Sequence, residues 1–506
     1  MERLRAGRML TSLALPKMVA GVAGMKIELI GLLTIALGMM TFLAPVHRAF
    51  SIMVLSTLFG AGAAFSLPGL GGASVLVPSL FLVFYGLRMF LAFGEGPILE
   101  ALAPPRAGFW LLLLTAYAVA SAFFLPRLME DVTETMTVQR LAGGRSSISL
   151  IALEPSTNNI TQAFYALGGL ACFAFTFAYL RSAGSPARLV YAMLALSAAN
   201  LGFAVLDVVT YYAGAAHIFD FVRTANYALL TGSEKAGFKR ISGTFSEASA
   251  FAGYTSVLFA FIGSLWLDRV RSLLTGSVAV LLLAALLLST SATGMVALAV
   301  VAVYLAFRSV GESIRKSPIG RPAFLASTVL AIPLVSLFVL LAMPDLLDSV
   351  ASYLDEILFS KLESHSGRER FMWNAVAYQV FIDTGGWGAG LGSARASSYL
   401  LVLLSNVGLL GTALFVIFIG SILLPRPGSE TGIDLDAKIV RACKAGLVAA
   451  LAEAFAAGTV YDLGLLFYVL AGTIAVVPLR ASQRESTPET PIGEVTGLTP
   501  LGGSRS

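Results

Sequence analysis

The sequence predicts an all-α, polytopic integral membrane protein with about 12–13 transmembrane helices. Three observations carry that expectation. Of the 506 residues, 57% are hydrophobic and only 12% are charged, whereas a soluble domain carries about 25% charge. The apolar residues gather into runs close to the roughly 20 residues that cross a hydrocarbon core. Between the runs lie short loops in which Lys and Arg recur on alternate sides, the pattern of a chain threaded through a bilayer. The net charge of +5 therefore reflects loop arginines and does not point to a nucleic-acid partner. Cys172 and Cys443 fall inside apolar runs and form no recognisable spacing, so neither a disulfide framework nor a thiolate metal site is implied. With only His47, His217 and His365 in the chain, a His-rich metal centre is not expected either.

Residues 1–26 are basic and weakly apolar, as befits an interfacial helix on the membrane surface. The polytopic domain covers 27–479. Its spans read as 27–46, 49–67, 73–94, 109–126, 161–180, 187–212, 249–267, 272–289, 293–309, 322–343, 396–424, 438–458 and 461–479. No repeat of 20–50 residues is visible. Residues 480–506 are rich in Ser, Thr, Pro and Gly and read as a disordered tail.

Orientation follows from the basic loops. Arg181 with Arg188, Arg269 with Arg271, Arg308 with Arg315, Lys316 and Arg321, and Arg426 with Lys438 and Arg441 fall on one side, assigned to the cytoplasm. The three longest hydrophilic segments, about 127–160, 214–248 and 344–395, then lie outside. An odd span count puts the basic N-terminus outside as well, against the charge rule, which leaves the first four spans and residues 9–25 as the open part of the count.

Two outer segments carry the polar residues. In the first, Lys239 and Arg240 precede Gly243-Thr244-Phe245-Ser246-Glu247. Ser246 is placed to cap the next helix, with Glu247 stabilised at its positive end. Alternatively, Glu247 faces the later loop and accepts a proton there. Arg223 is a weaker member of this group, read either as part of it or as a surface charge. The second runs through Ser364–Gly411, where Arg368, Arg370 and Arg395 crowd a loop holding Gly385, Gly386, Gly388, Gly390 and Gly392. Ser366 and Glu369 have capping-box spacing, which starts a helix at Gly367. Arginines beside exposed backbone N–H groups suit a pyrophosphate or similar anion, and a water-exposed loop with topology-setting charges is the plainer reading. His365 is within reach of such a site and titrates near neutral pH, although a lone loop histidine is more often a surface residue. Ahead of this segment, Leu346, Leu347, Val350, Tyr353, Leu354, Ile357, Leu358 and Leu362 repeat at helical spacing, predicting an interfacial amphipathic helix. Within the spans, Asp207 and Glu453 are the intramembrane carboxylates that a proton-coupled transporter would use.

The stretches RISGTFSEASAFAGY from Arg240 and SGRERFMWNAVAYQVFIDTGGWGAGLGSARASSYLLVLLSNVGLLG from Ser366 resemble the O-antigen polymerase and ligase-like superfamily. FGAGAAFSLPGLGGASVLVPSLFL near the start resembles its exopolysaccharide polymerase branch. LSTSATG at Leu288–Gly294 resembles a short outward turn of that superfamily, without the arginine usual there. The resemblance implies the lipid-carrier-dependent, all-helical glycosyltransferase fold in a bacterial inner membrane, with the active site facing the periplasm. The implied activity joins undecaprenyl-pyrophosphate-linked oligosaccharide repeats, without metal or cofactor. Membrane lipids, and chain-length-control and export proteins of a polysaccharide assembly system, are the implied partners. By position, Arg240 and either Arg368 or Arg370 would meet the pyrophosphate, with Arg395 beside them, and Glu247 or His365 would serve as base. Ligase members carry a histidine shortly after the glycine-rich loop, where this chain has Ala396-Ser397-Ser398. Polymerisation is therefore the expected reaction, with ligation to another acceptor as the alternative. A transporter or lipid-linked oligosaccharide flippase is the alternative from another class. It calls for a charged central cavity and internal repeats, neither of which is visible.

Overall fold

The computed structural model describes residues 26–67, 73–140, 146–225, 229–235, 238–316, 365–424 and 434–486. The basic N-terminal segment, the 322–343 span, the amphipathic stretch to Leu362 and the chain after Ser486 lie outside the described residues.

The molecule is a mostly helical, multi-pass membrane protein. Among the described residues, six helices are long and apolar enough to cross a membrane. They are α5 (Ala107–Leu128), α6 (Thr157–Ser182), α7 (Ala187–Tyr212), α8 (Ala248–Leu267), the Ala292–Ser309 part of α10 (Ala292–Lys316), and α12 (Tyr399–Leu423). A bent pair, α3 (Val77–Phe93) and α4 (Gly96–Leu102), turns through 113° and adds a seventh if counted as one span. The shorter apolar helices α1 (Leu29–Leu43), α2 (Val46–Ser56) and α9 (Ser272–Leu288) fall where spans are expected. So do α13 (Leu435–Ala457) and α14 (Leu465–Ser486). The last of these continues past Arg480 to Ser486, so the chain is helical where the disordered tail was expected to begin.

Three expectations change. The stretch 49–67 is half helix and half strand. Helix α2 stops at Ser56, and Gly60 lies so close to Phe245 that a Cβ would sit 2.7 Å from its ring. After that approach, β2 (Ala63–Leu67) pairs antiparallel with β1 (Lys26–Ile27) and β3 (Ala73–Leu76), Phe65 opposing both Ile27 and Val75. The loop 127–160 holds a hairpin, β4 (Glu134–Arg140) with β5 (Ser146–Ala152), in unbroken register from Glu134↔Ala152 to Arg140↔Ser146. The fold is thus all-α in its spans and carries small antiparallel sheets between them. Finally, α11 (His365–Asp383) already includes Ser366, so that serine is not its N-cap.

Helix α8 is the hub. Of its most apolar window 72% is buried, against 22% for α10 at the periphery. Its ASAFAGY start and the AGLVAALAEAFAA run of α13 are rich in small residues, which let two helices approach closely where lipid supplies no hydrophobic drive. Gly253 marks that approach, because a Cβ there would meet the Glu453 side chain at 2.6 Å. Glu247 and Asp268 occupy the positions flanking the two ends of this 20-residue helix, which sets two charge layers about 30 Å apart, the thickness of a hydrocarbon core.

The Asp268 layer is tied off. Asp268 sits between Arg308 at 2.7 Å and Arg441 at 3.2 Å. Lys444 donates to the Leu423 carbonyl at the end of α12 at 2.8 Å, satisfying a helix terminus. Arg106 and Arg181 both pair with Glu100, at 2.9 and 3.0 Å. Several basic residues expected to set topology therefore also hold this end of the bundle together.

Candidate functional site

The opposite end contains two groups of charge. The first is built on Asp207, near the end of α7. Its carboxylate takes Arg223 at 2.6 Å and Lys239 at 3.1 Å, and accepts the backbone N–H groups of Ser242 and Gly243 at 2.8 and 3.1 Å. Arg223 also donates to the Gly243 carbonyl and lies over the Phe219 ring, 4.3 Å from its centroid. Arg223 is thus a buried strut and not a surface charge. Asp207 is thus held by two cations and two backbone N–H groups. Burial pushes the Lys239 ammonium below the usual lysine range, with Asp207 pulling the other way. Arg240 stands next to this group; its backbone N–H donates to the Ser233 carbonyl at 3.1 Å and its own carbonyl accepts from Lys239 Nζ at 2.7 Å. The network fixes the segment that leads into α8.

At the start of α8 the N-cap position is Glu247, not Ser246. Its carboxylate accepts from the Ser249 hydroxyl and does not close onto the helix N–H groups, so the expected capping arrangement is absent. Glu247 is half-buried, and together with Arg370 of α11 it lies within electrostatic range of Glu453, repelling where Arg370 attracts. Glu247 and Arg370 thus both lie near Glu453, an intramembrane carboxylate that the sequence linked only to transport. Among the described residues no ion pair locks Arg370 or Glu453.

One turn along α11 from Arg370, Trp373 meets Arg395, whose guanidinium carbon lies 5.6 Å from the indole centroid. The Arg395 terminal nitrogen reaches the Thr459 hydroxyl at 3.4 Å, just past the end of α13 that carries Glu453. Arg395 Nε and Trp373 Nε1 are both buried, and neither has a hydrogen-bond acceptor among the described residues. Burial lowers the Arg395 pKa from the usual arginine range, yet a guanidinium keeps its charge in proteins. Both donors belong to the same Arg395–Trp373 contact, and one of them is cationic.

The glycine-rich loop does different work from that expected of it. Its N–H groups are consumed within the fold. Ala389 donates to the Ser405 carbonyl at 2.7 Å, Gly390 to the Asn406 carbonyl at 2.9 Å, Leu391 to Ser121 Oγ at 3.2 Å and Gly392 to Asn406 Oδ1 at 2.8 Å. No open row of amides is left to cradle an anion. The glycines serve close approach instead. At Gly390, with φ +96°, a Cβ would lie 2.7 Å from the Ser121 carbonyl and 2.6 Å from Pro126. At Gly408, with φ +61°, α12 breaks its helical path and Leu409 donates to the Gly386 carbonyl at 2.9 Å. Asn406 is the clasp, since its amide also donates to the Ala394 and Val402 carbonyls at 2.8 and 2.9 Å. This wedge aims Arg395, and Asn374 steadies its exit by accepting the Ser397 N–H at 2.7 Å.

Arg368 is exposed, whereas Arg370 is half-buried. Two residues apart on a helix of about 3.6 residues per turn, they leave on nearly opposite faces. Only Arg370 joins the group around Glu453. His365 opens α11, and its side chain lies outside the described residues. Tyr399 is a core residue, fully buried with its hydroxyl on the Tyr461 carbonyl at 2.9 Å. Sequence reasoning missed Asn406, Thr459 and the Trp373 N–H. The run Thr-Asn-Asn at 157–159 was a readable signal for the wedge, because Asn159 closes a capping box with Ser156 and donates to the Leu391 carbonyl at 2.8 Å.

Compared with known proteins, the sequence matches no family model, no curated protein and no solved structure. The class defined by the fold is a multi-pass helical membrane protein, and the functional reading rests on the site's chemistry together with the residue pattern of the two loops.

Proposed function

We propose that the protein is a polysaccharide polymerase that joins undecaprenyl-pyrophosphate-linked oligosaccharide repeats at the periplasmic face of a bacterial inner membrane. The observation that carries this reading is the pair of buried donors, Arg395 Nε and Trp373 Nε1, without acceptors among the described residues, with Trp373 one helical turn from Arg370, which itself acts on Glu453. A glycosyl donor of this kind is already activated, because its anomeric carbon bears a pyrophosphate. The acceptor hydroxyl attacks that carbon, the bond to pyrophosphate breaks, and the leaving group departs with its electron pair. Arg370 and Arg395 neutralise the charge that develops on it, the role that guanidinium groups fill by paired, charge-assisted hydrogen bonds. Glu247, which holds no helix cap, takes the acceptor proton. Arg240, on the neighbouring strut, contributes positive field at the mouth of the site.

The test is to incubate purified protein with a lipid-pyrophosphate-linked repeat and separate the products by size. A ladder is the expected result. A single product on another acceptor would replace polymerase with ligase, and no product from active, folded protein would remove glycosyl transfer altogether.

A further inference from the structure

Helix α11 has a second face that the proposed chemistry does not use. Arg368, Phe371, Tyr378 and Ile382 follow one another at spacings of three, seven and four residues, which places them on a single stripe. Phe371 is 77% exposed, and Tyr378, Ile382 and the nearby Trp387 are each half or more exposed. The opposite face, with Ala377 and Val380, is buried. A helix that is apolar on both sides needs an apolar neighbour on both sides. Where α11 ends, its turn is hydrogen-bonded to α12 through Leu409 N–H and the Gly386 carbonyl, and Leu409 and Leu410 are outward-facing residues of a membrane-length helix, 61% and 49% exposed. The stripe is thus continuous with a surface that faces lipid. Its composition is that of a membrane interface, with aromatic rings that are amphipathic and an arginine at one end. The helix itself is not long and apolar enough to be one of the six candidate spans.

We propose that α11 lies in the bilayer interface, with Phe371, Tyr378, Ile382 and Trp387 seated at the boundary of headgroups and acyl chains and Arg368 on the lipid phosphates. The two arginines that the sequence could not separate then have distinct partners. Arg368 meets the bulk lipid surface, and Arg370, on the reverse of the same helix, meets the Glu453 group. This inference rests on the membrane-spanning helices and is independent of the glycosyl-transfer reading.

The test uses the full-length protein in lipid nanodiscs, with Phe371→Cys or Tyr378→Cys carrying a nitroxide; the native Cys172 and Cys443 are buried. The expected result is that collisions with dissolved oxygen exceed those with a water-soluble nickel chelate at both positions. Nickel collisions in excess would show a water-facing helix, and low values for both reagents would show that protein, such as the chain's own 344–362 stretch, covers the stripe; either overturns the proposal. Arg368→Glu should move the label at position 371 toward water, and more so in phosphatidylglycerol than in phosphatidylcholine nanodiscs. An equal position in both lipids would overturn the contact with lipid phosphate.

Discussion

The Asp207 group and the Arg370–Arg395 group sit at the same end of the bundle and are made of the same residue types, yet they are wired in opposite ways. Around Asp207, one carboxylate takes two cations and two backbone N–H groups, and Arg223 spends its remaining donors on the Gly243 carbonyl. Around Glu453, the Glu247 carboxylate and the Arg370 guanidinium lie near without an ion pair, and the buried N–H donors of Arg395 and Trp373 have no acceptor, both among the described residues. Buried charge whose hydrogen bonds are complete holds a fold together, and its removal is felt as instability. Buried polar groups left incomplete point to a ligand that completes them. On this contrast rests the proposal that the Asp207 group is scaffold and the Arg370–Arg395 group is the site.

Substitutions can break or sharpen that contrast. The largest effect is expected at the scaffold. Asp207→Ala leaves Arg223 and Lys239 buried without their counter-charge and should lower stability by about 3–5 kcal/mol, measured as a fall in the thermal midpoint of the purified protein in detergent. Arg370→Ala should do the reverse, leaving the midpoint near wild type while transfer falls by roughly 10²–10³-fold, the scale of losing one charge-stabilising donor. Equal melting losses in the two variants would erase the distinction.

Gly390→Ala tests the wedge. A side chain at φ +96° meeting the Ser121 carbonyl at 2.7 Å should destabilise by about 2–3 kcal/mol, combining left-handed strain with overpacking; an unchanged midpoint would mean that the loop yields freely. The smallest effect is expected from Gly253→Ala. The new Cβ displaces the Glu453 carboxyl without removing any charge, and turnover should drop by about tenfold, in line with the sensitivity of reacting groups to small misplacement. A turnover identical to wild type would show that the position of Glu453 does not matter.

Much of the fold was legible because hydrocarbon imposes a simple rule on long apolar runs. The stretches around α5 to α10, and α12 to α14, were placed within a few residues. What escaped was whatever depends on one residue meeting another far along the chain. Nothing local to Phe65 says that it pairs with Ile27, so the strand inside an apolar run was read as span. The glycines of the later loop announced unusual backbone, but whether their amides face a ligand or a neighbour depends on Asn406, Ser121 and Asn159, and only the fold brings these together. Arg370, Arg395 and Glu247 stood out because cations and carboxylates are conspicuous in an apolar chain. Arg368 was grouped with them because sequence proximity does not say which face of a helix a side chain takes. Glu453 was noticed for its rarity, but its neighbours across α8 and α11 were not visible in the sequence.

In the proposed function, the buried donors of Arg395 and Trp373, with Arg370, bind a pyrophosphate. The direct measurement is the affinity of undecaprenyl pyrophosphate, without sugars, for purified wild-type, Arg370→Ala, Arg395→Ala and Arg368→Ala proteins. Weakening by about tenfold or more in the Arg370 and Arg395 variants, the size of a lost charge-assisted hydrogen bond, with a smaller change in the Arg368 variant, is the predicted result. Equal affinity in all four proteins would contradict the assignment of this site.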